Sequence, residues 1–299
     1  MGRPNRRWRP PAERLSADLA AAVDRFDRSL RRISDSDLDR PWAWGVYDEE
    51  GIRFAFFRTL EELTDLGVEV AARREEAGRP MGRAARLVGR HHVAWRELWS
   101  IVDAAGESLL DRVPAEGEWP LRTVLEHLVG ADLGFLVVQR NAAERRAAGL
   151  EPARAGDAWE RLAGITESQF EETFKGPLAG IRAEHTRVHD GVLELARLTD
   201  EELASESAFW DGVMPNRFRL GRFESHIRQH TIQAEKAIAA VAGPPREVDR
   251  LLLLIRRAQA EAEAAAIGAE DILEETGGPL GAAIAARAIE LAELAGVTA

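Results

Sequence analysis

Phe223-Glu224-Ser225-His226-Ile227-Arg228-Gln229-His230-Thr231-Ile232-Gln233 is the stretch whose reading decides the fold. Phe223, Ile227, Ala234 and Ile238 recur at helical spacing, with His230 continuing their stripe and His226 on its flank. Apolar side chains at that period make an amphipathic helix, which must bury its stripe against partner helices. The helix is predicted over Leu220–Ala242, closed by Gly243-Pro244-Pro245. His226 and His230 stand at i and i+4, so both rings rise from one face, ~5–6 Å apart at Cβ.

The same period governs the rest of the chain. Helices are predicted over Ala12–Ile33, Gly51–Ala77, Gly82–Leu110, Pro120–Ala148, Ser168–Leu198, Arg246–Ile267 and Pro279–Leu294, with Gly277-Gly278 breaking the last two apart. Residues 209–216 are predicted to be irregular. The fold class expected is all-α, an antiparallel four-helix bundle with additional N- and C-terminal helices. The organisation expected is a flexible basic arm (1–12), an N-terminal helical pair (13–80), the bundle (81–243) and a C-terminal helical extension (244–299). The four outer helices either enlarge that bundle or pair into a second, discontinuous one. A faint repeat relates residues 59–67 to 126–134, with Leu60 in the first copy where the second has His127.

The 299 residues carry 40 Lys+Arg against 51 Asp+Glu, a net charge of -11. That acid excess argues against a protein that coats nucleic acid, which needs a basic face. The arm Arg3, Arg6, Arg7 and Arg9 is the one feature on the other side. There is no cysteine, which excludes disulfides, iron–sulfur clusters and a thiol nucleophile of the chain's own. No run of eighteen apolar residues suggests a membrane span. Only Lys175 and Lys236 are lysines, a bias that with abundant alanine points to a high-GC bacterial genome. A cytoplasmic location is expected.

The seven histidines are His91, His92, His127, His185, His189, His226 and His230. Two rings rarely hold a cation; a catalytic site needs three protein ligands and an open position. His127 supplies a third if its helix neighbours that of His226, because bundle metal sites are built from inward side chains on facing helices. His185 and His189 have the same spacing and are read as surface or supporting residues. His91 and His92 are adjacent, so their rings diverge and form no cluster unaided. Ile227 stands where a zincin needs its glutamate, and no Glu-x-x-His occurs, which argues against metalloprotease and di-iron chemistry.

The single histidine in Trp119-Pro120-Leu121-Arg122-Thr123-Val124-Leu125-Glu126-His127-Leu128, followed by His226-x-x-x-His230-x-x-Gln233, resembles the DinB-like superfamily. That group includes YfiT-type hydrolases and mycothiol- or bacillithiol-dependent enzymes. The resemblance covers residues 82–242 and implies a four-helix bundle holding a divalent metal (Zn, Ni, Fe or Mn) on His127, His226 and His230. Trp119 matches the aromatic that opens the second bundle helix, and Gln233 a supporting position. The function implied is a metal-dependent enzyme acting on a small molecule, by transfer of a low-molecular-weight thiol or by hydrolysis. Asp132, Glu224 or the His185/His189 pair would serve as acid or base. The alternative is a non-catalytic helical interaction protein. The partners expected are a small-molecule substrate and a second copy in a homodimer, with no nucleic acid and no membrane. Trp95 and Trp99 are expected in the core. Trp42, Trp44 and Trp210 are candidates to roof a pocket, and Phe209, Trp210 and Met214 to wall the substrate.

Overall fold

The computed structural model describes residues 17–47 and 50–297; the basic arm expected at 1–12 lies outside them. Among the described residues eleven α-helices follow one another: α1 (Ala17–Leu30), α2 (Gly51–Glu76), α3 (Arg83–Ala105), α4 (Leu121–Ala147), α5 (Trp159–Ala163), α6 (Glu167–Lys175), α7 (Leu178–Glu194), α8 (Asp200–Ala204), α9 (Asn216–Ala242), α10 (Glu247–Ala265) and α11 (Glu270–Ala295). Between α8 and α9 lie two short strands, β1 (Glu206–Phe209) and β2 (Gly212–Pro215). The fold is all-α apart from this hairpin. No helix among the described residues is long and apolar enough to cross a membrane.

Prolines set the starts of three helices. Pro120, Pro177 and Pro215 stand immediately before α4, α7 and α9. A proline pushes the residue before it out of helical geometry, so an upstream helix must stop. That corrects the single helix expected over Ser168–Leu198: Gly176 is extended (φ -86, ψ -171) and divides α6 from α7. The stretch expected to be irregular is the β1–β2 hairpin, with Glu206 opposite Pro215 and Phe209 opposite Gly212. Gly212 takes φ +108 where the turn rejoins β2, a conformation side chains rarely tolerate. The break expected at Gly277-Gly278 is also absent, since α11 runs through both glycines and Pro279. Close packing outweighs poor propensity there. A Cβ on Gly281 would lie 3.3 Å from Leu19 Cα, so glycine lets α11 press against α1.

Four helices form a ring in which α3 packs on α9, α9 on α4, α4 on α7 and α7 on α3. Phe135 of α4 meets Phe223 of α9 while His127 meets His230, so α4 and α9 run antiparallel. The outer helices make a second ring, in which α1 packs on α11, α11 on α2, α2 on α10 and α10 on α1. Sequence left open whether these four enlarge the first bundle or form their own; they form their own. Both rings have the same order of helices: first, fourth, second, third. The faint repeat obeys it, because α2 and α4 are each the second helix of their bundle. The first bundle is thus inserted between the halves of the second.

The bundles meet along α3 and α10. At the seam small residues let the helices approach, a Cβ on Gly89 lying 3.2 Å from Ala264 Cβ, and beside them Arg96 donates to Glu263 at 2.8 Å. Alanine both favours helix and permits this approach. In the second bundle Arg256 donates from Nε to Asp27 at 2.7 Å, and Arg287 donates to Thr59 Oγ1 at 2.6 Å and to Glu62 at 2.8 Å. Buried charges persist only when so paired.

Candidate metal centre

His127 projects from α4 two turns after Pro120, and its ring is exposed. His226 and His230 project from α9 and are buried, at 5 % and 6 % exposure. Ring centroids lie 4.5 Å apart for His127–His230 and for His226–His230, and 5.3 Å for His127–His226. One ring nitrogen from each comes within 4.8 Å of the others, and these three are the one such group of metal-ligating side chains among the described residues. Trp119 stands beside His127, with centroids 5.5 Å apart.

Burial depresses the basicity of His226, with the neighbouring His230 adding to it, to a pKa of about 4. His127 is lowered by burial and by His230. At neutral pH both rings are therefore uncharged and offer lone pairs. His230 Nδ1 lies 2.8 Å from Gln233 Oε1. An amide oxygen only accepts, so Nδ1–H is the donor and Nε2 is the nitrogen left for a metal. His226 Nδ1 is buried without a hydrogen-bond partner. Three imidazoles, one oriented by an outer hydrogen bond, make a donor set that fits a divalent ion at ~2.0–2.1 Å per nitrogen.

The other four histidines form a second arrangement in the bundle core. The reading of His185 and His189 as surface or supporting residues is corrected on exposure, since both are fully buried on α7. Asp132, also fully buried, takes the Nε2–H of His91 at 3.1 Å and of His185 at 3.2 Å on one oxygen, Oδ2. Trp99 Nε1 donates to His185 Nδ1 at 3.1 Å, which leaves the His185 proton on Nε2, facing Asp132. Burial alone would raise the Asp132 carboxyl, but His91 and His185 hold it at about 2. On the other side of α3, His92 Nε2 donates to Glu263 of α10 at 2.7 Å and His92 Nδ1 lies 3.0 Å from His189 Nε2. Burial would raise Glu263 as well, yet Arg96 and His92 hold it at about 2. His91 and His92 do diverge, and each finds a partner on a different helix. Burial lowers His92, His185 and His189.

Of the acid–base candidates, Asp132 belongs to this core group. Glu224 is taken up elsewhere: Arg90 Nε donates to it at 2.6 Å and Arg228 Nε at 2.9 Å. Trp42 and Trp44 do not roof this site. They stack at 5.9 Å and cover Arg287 of the second bundle. Trp95 and Trp99 are core residues, as expected. Phe209 of β1 reaches Phe135 at 6.0 Å, and Phe135 reaches His226 at 5.5 Å, so the hairpin stands one aromatic ring from the three histidines. Phe209, Trp210, Trp159 and Arg154 line a cavity of about 410 Å³ beside it. Trp159 is a site neighbour that sequence reading missed. The signal was Gly134, where a Cβ would come 3.5 Å from the Trp159 ring.

Residues 90–234 match the family model described as the DinB superfamily. No curated protein and no solved structure matches the chain.

Proposed function

We propose, for a chain whose residues 90–234 belong to the DinB superfamily, that His127, His226 and His230 hold one divalent metal ion and that the protein is a metal-dependent enzyme acting on a small molecule. The observation that carries this reading is the convergence of three ring nitrogens within 4.8 Å, from two helices, with one ring open to solvent. Zn, Ni, Fe and Mn all suit such imidazole donors. Bound there, a divalent ion lowers the pKa of a thiol or water and polarises carbonyls.

The chain's own residues do the rest. His226 and His230 form the buried floor, and His127 stands at the exposed entry beside Trp119. Gln233 fixes the His230 tautomer. Phe135 and Phe209 exclude water from one side, and Arg154 pins the hairpin by donating to the Phe209 and Trp210 carbonyls at 3.2 Å. The reaction is transfer of a low-molecular-weight thiol or hydrolysis. Because the chain has no cysteine, any sulfur nucleophile comes from outside.

The test is a titration of the Co²⁺-loaded protein with a small thiol, followed by thiol consumption in the presence of an electrophile. A sulfur-to-metal charge-transfer band and metal-dependent consumption support thiol transfer. Metal-dependent ester or amide cleavage without that band supports hydrolysis. Neither activity would leave a binding protein. That second reading, a helical interaction module forming homodimers, draws on the exposed apolar turn at Trp44, Val46 and Tyr47. Light scattering at a single monomer mass would remove the homodimer.

A further inference from the structure

Two buried polar atoms near the candidate centre have complementary needs. Asp132 Oδ1 has no hydrogen-bond partner, although Oδ2 of the same carboxylate receives two imidazole protons. His226 Nδ1 also has none. An unpartnered buried carboxylate oxygen is costly, and so is an unpartnered ring N–H. Asp132 sits on α4, three residues before Phe135, whose ring meets His226 of the facing α9 at 5.5 Å, and its partner His91 packs on Phe223, one turn before His226, at 5.4 Å. The carboxylate is held rigidly: His91 comes from α3 and His185 from α7, and Trp99 fixes the His185 tautomer.

We propose that Asp132 is a positioning residue for the metal centre, its Oδ1 accepting the Nδ1–H of His226 through one bridging water while Nε2 of that ring faces the metal. The inference rests on the metal-centre reading above. A buried site with polar groups on both sides is where a structural water is retained. A ligating histidine characteristically gives its second N–H to a carboxylate, carbonyl or water, which fixes the tautomer and raises the ring's basicity. His230 has Gln233 in that role. Asp132 gives His226 the same service, and it places one negative charge behind the three rings.

The experiment has two arms. In the Zn²⁺-loaded wild type, nitrogen NMR of the histidine rings should find His226 as the Nδ1–H tautomer, with a ring proton slow to exchange with solvent. Asp132→Asn keeps the size and removes the charge. It should lower Zn²⁺ affinity, read by competition with a chromophoric chelator, by about tenfold or more. It should also move the pH midpoint of the Co²⁺ absorption spectrum downward, because less negative charge lies behind the ion. A merely structural Asp132 would lower the melting temperature and leave that midpoint in place. An Nε2–H tautomer of His226, or wild-type affinity and midpoint in Asp132→Asn, would overturn the proposal. A wild type that binds no Zn²⁺ at all would instead remove the metal centre itself, so the two failures are distinguishable.

Discussion

His230 and Gln233 are bonded within one turn of α9, Nδ1 to Oε1 across 2.8 Å, and that bond decides which face of the ring is free to bind. Replacing Gln233 by Leu removes the acceptor and frees the ring to rotate. Zn²⁺ affinity should fall by about tenfold to a hundredfold, as for other outer hydrogen bonds to ligating histidines. The fold should lose only about 1 kcal/mol, the net worth of one hydrogen bond. Chelator competition and urea denaturation, run on the same sample, check both.

Acid should loosen the metal-free protein in two stages. His92, His185, His189 and His226 all have basicity depressed by burial, His226 to about 4. The unfolded chain takes up protons at these rings near pH 6.5, before the folded chain does, so stability falls as pH drops through that range and on toward 4. Asp132 and Glu263 are held at about 2, so their contribution is intact above the ordinary carboxylate range and is lost only as pH falls from ~4 toward 2. Melting curves in chelator at pH 7.5, 6 and 5 should step downward. A melting temperature constant to pH 5 would contradict the neutral core.

Arg287 is 4 % exposed in the second bundle, bonded to Thr59 and Glu62 beneath Trp42 and Trp44. Arg287→Met takes two N–H donors from Glu62, leaving it Arg58 Nε at 3.1 Å, and should cost about 2 kcal/mol. The double variant Arg287→Met, Glu62→Leu should recover part of that loss, because the half-buried carboxylate that lost two of its donors has gone. Denaturant midpoints of the two variants decide it. Equal losses would mean that packing alone is responsible.

What sequence disclosed is bounded by what local pattern can carry. Period and spacing were enough for most of the long helices, though not for the α6–α7 break or the span of α11, and for the stripe that turns His127 toward His226 and His230. Burial of His185 and His189 was not readable, since their i and i+4 spacing is identical to that of the candidate metal pair. Only the facing helices distinguish them: α3 and α4 bring Trp99 and Asp132 to His185, and α9 receives His127. Pro177 carried its helix break openly, in the rule that a proline excludes helical geometry just before it. Gly277-Gly278-Pro279 misled, because contact with Leu19 rewards residues that intrinsic propensity disfavours. The second bundle was undecidable because its halves are separated by the whole of the first.

His127 is exposed, so its removal leaves the core intact and isolates its part in metal binding. The central measurement is metal content by elemental analysis after loading and desalting, for the wild type and His127→Ala with matched circular dichroism. The three-histidine centre requires one divalent ion per wild-type chain and almost none in the variant. A stoichiometric ion retained by His127→Ala, or a wild type that takes up none of Zn, Ni, Fe or Mn, would contradict it.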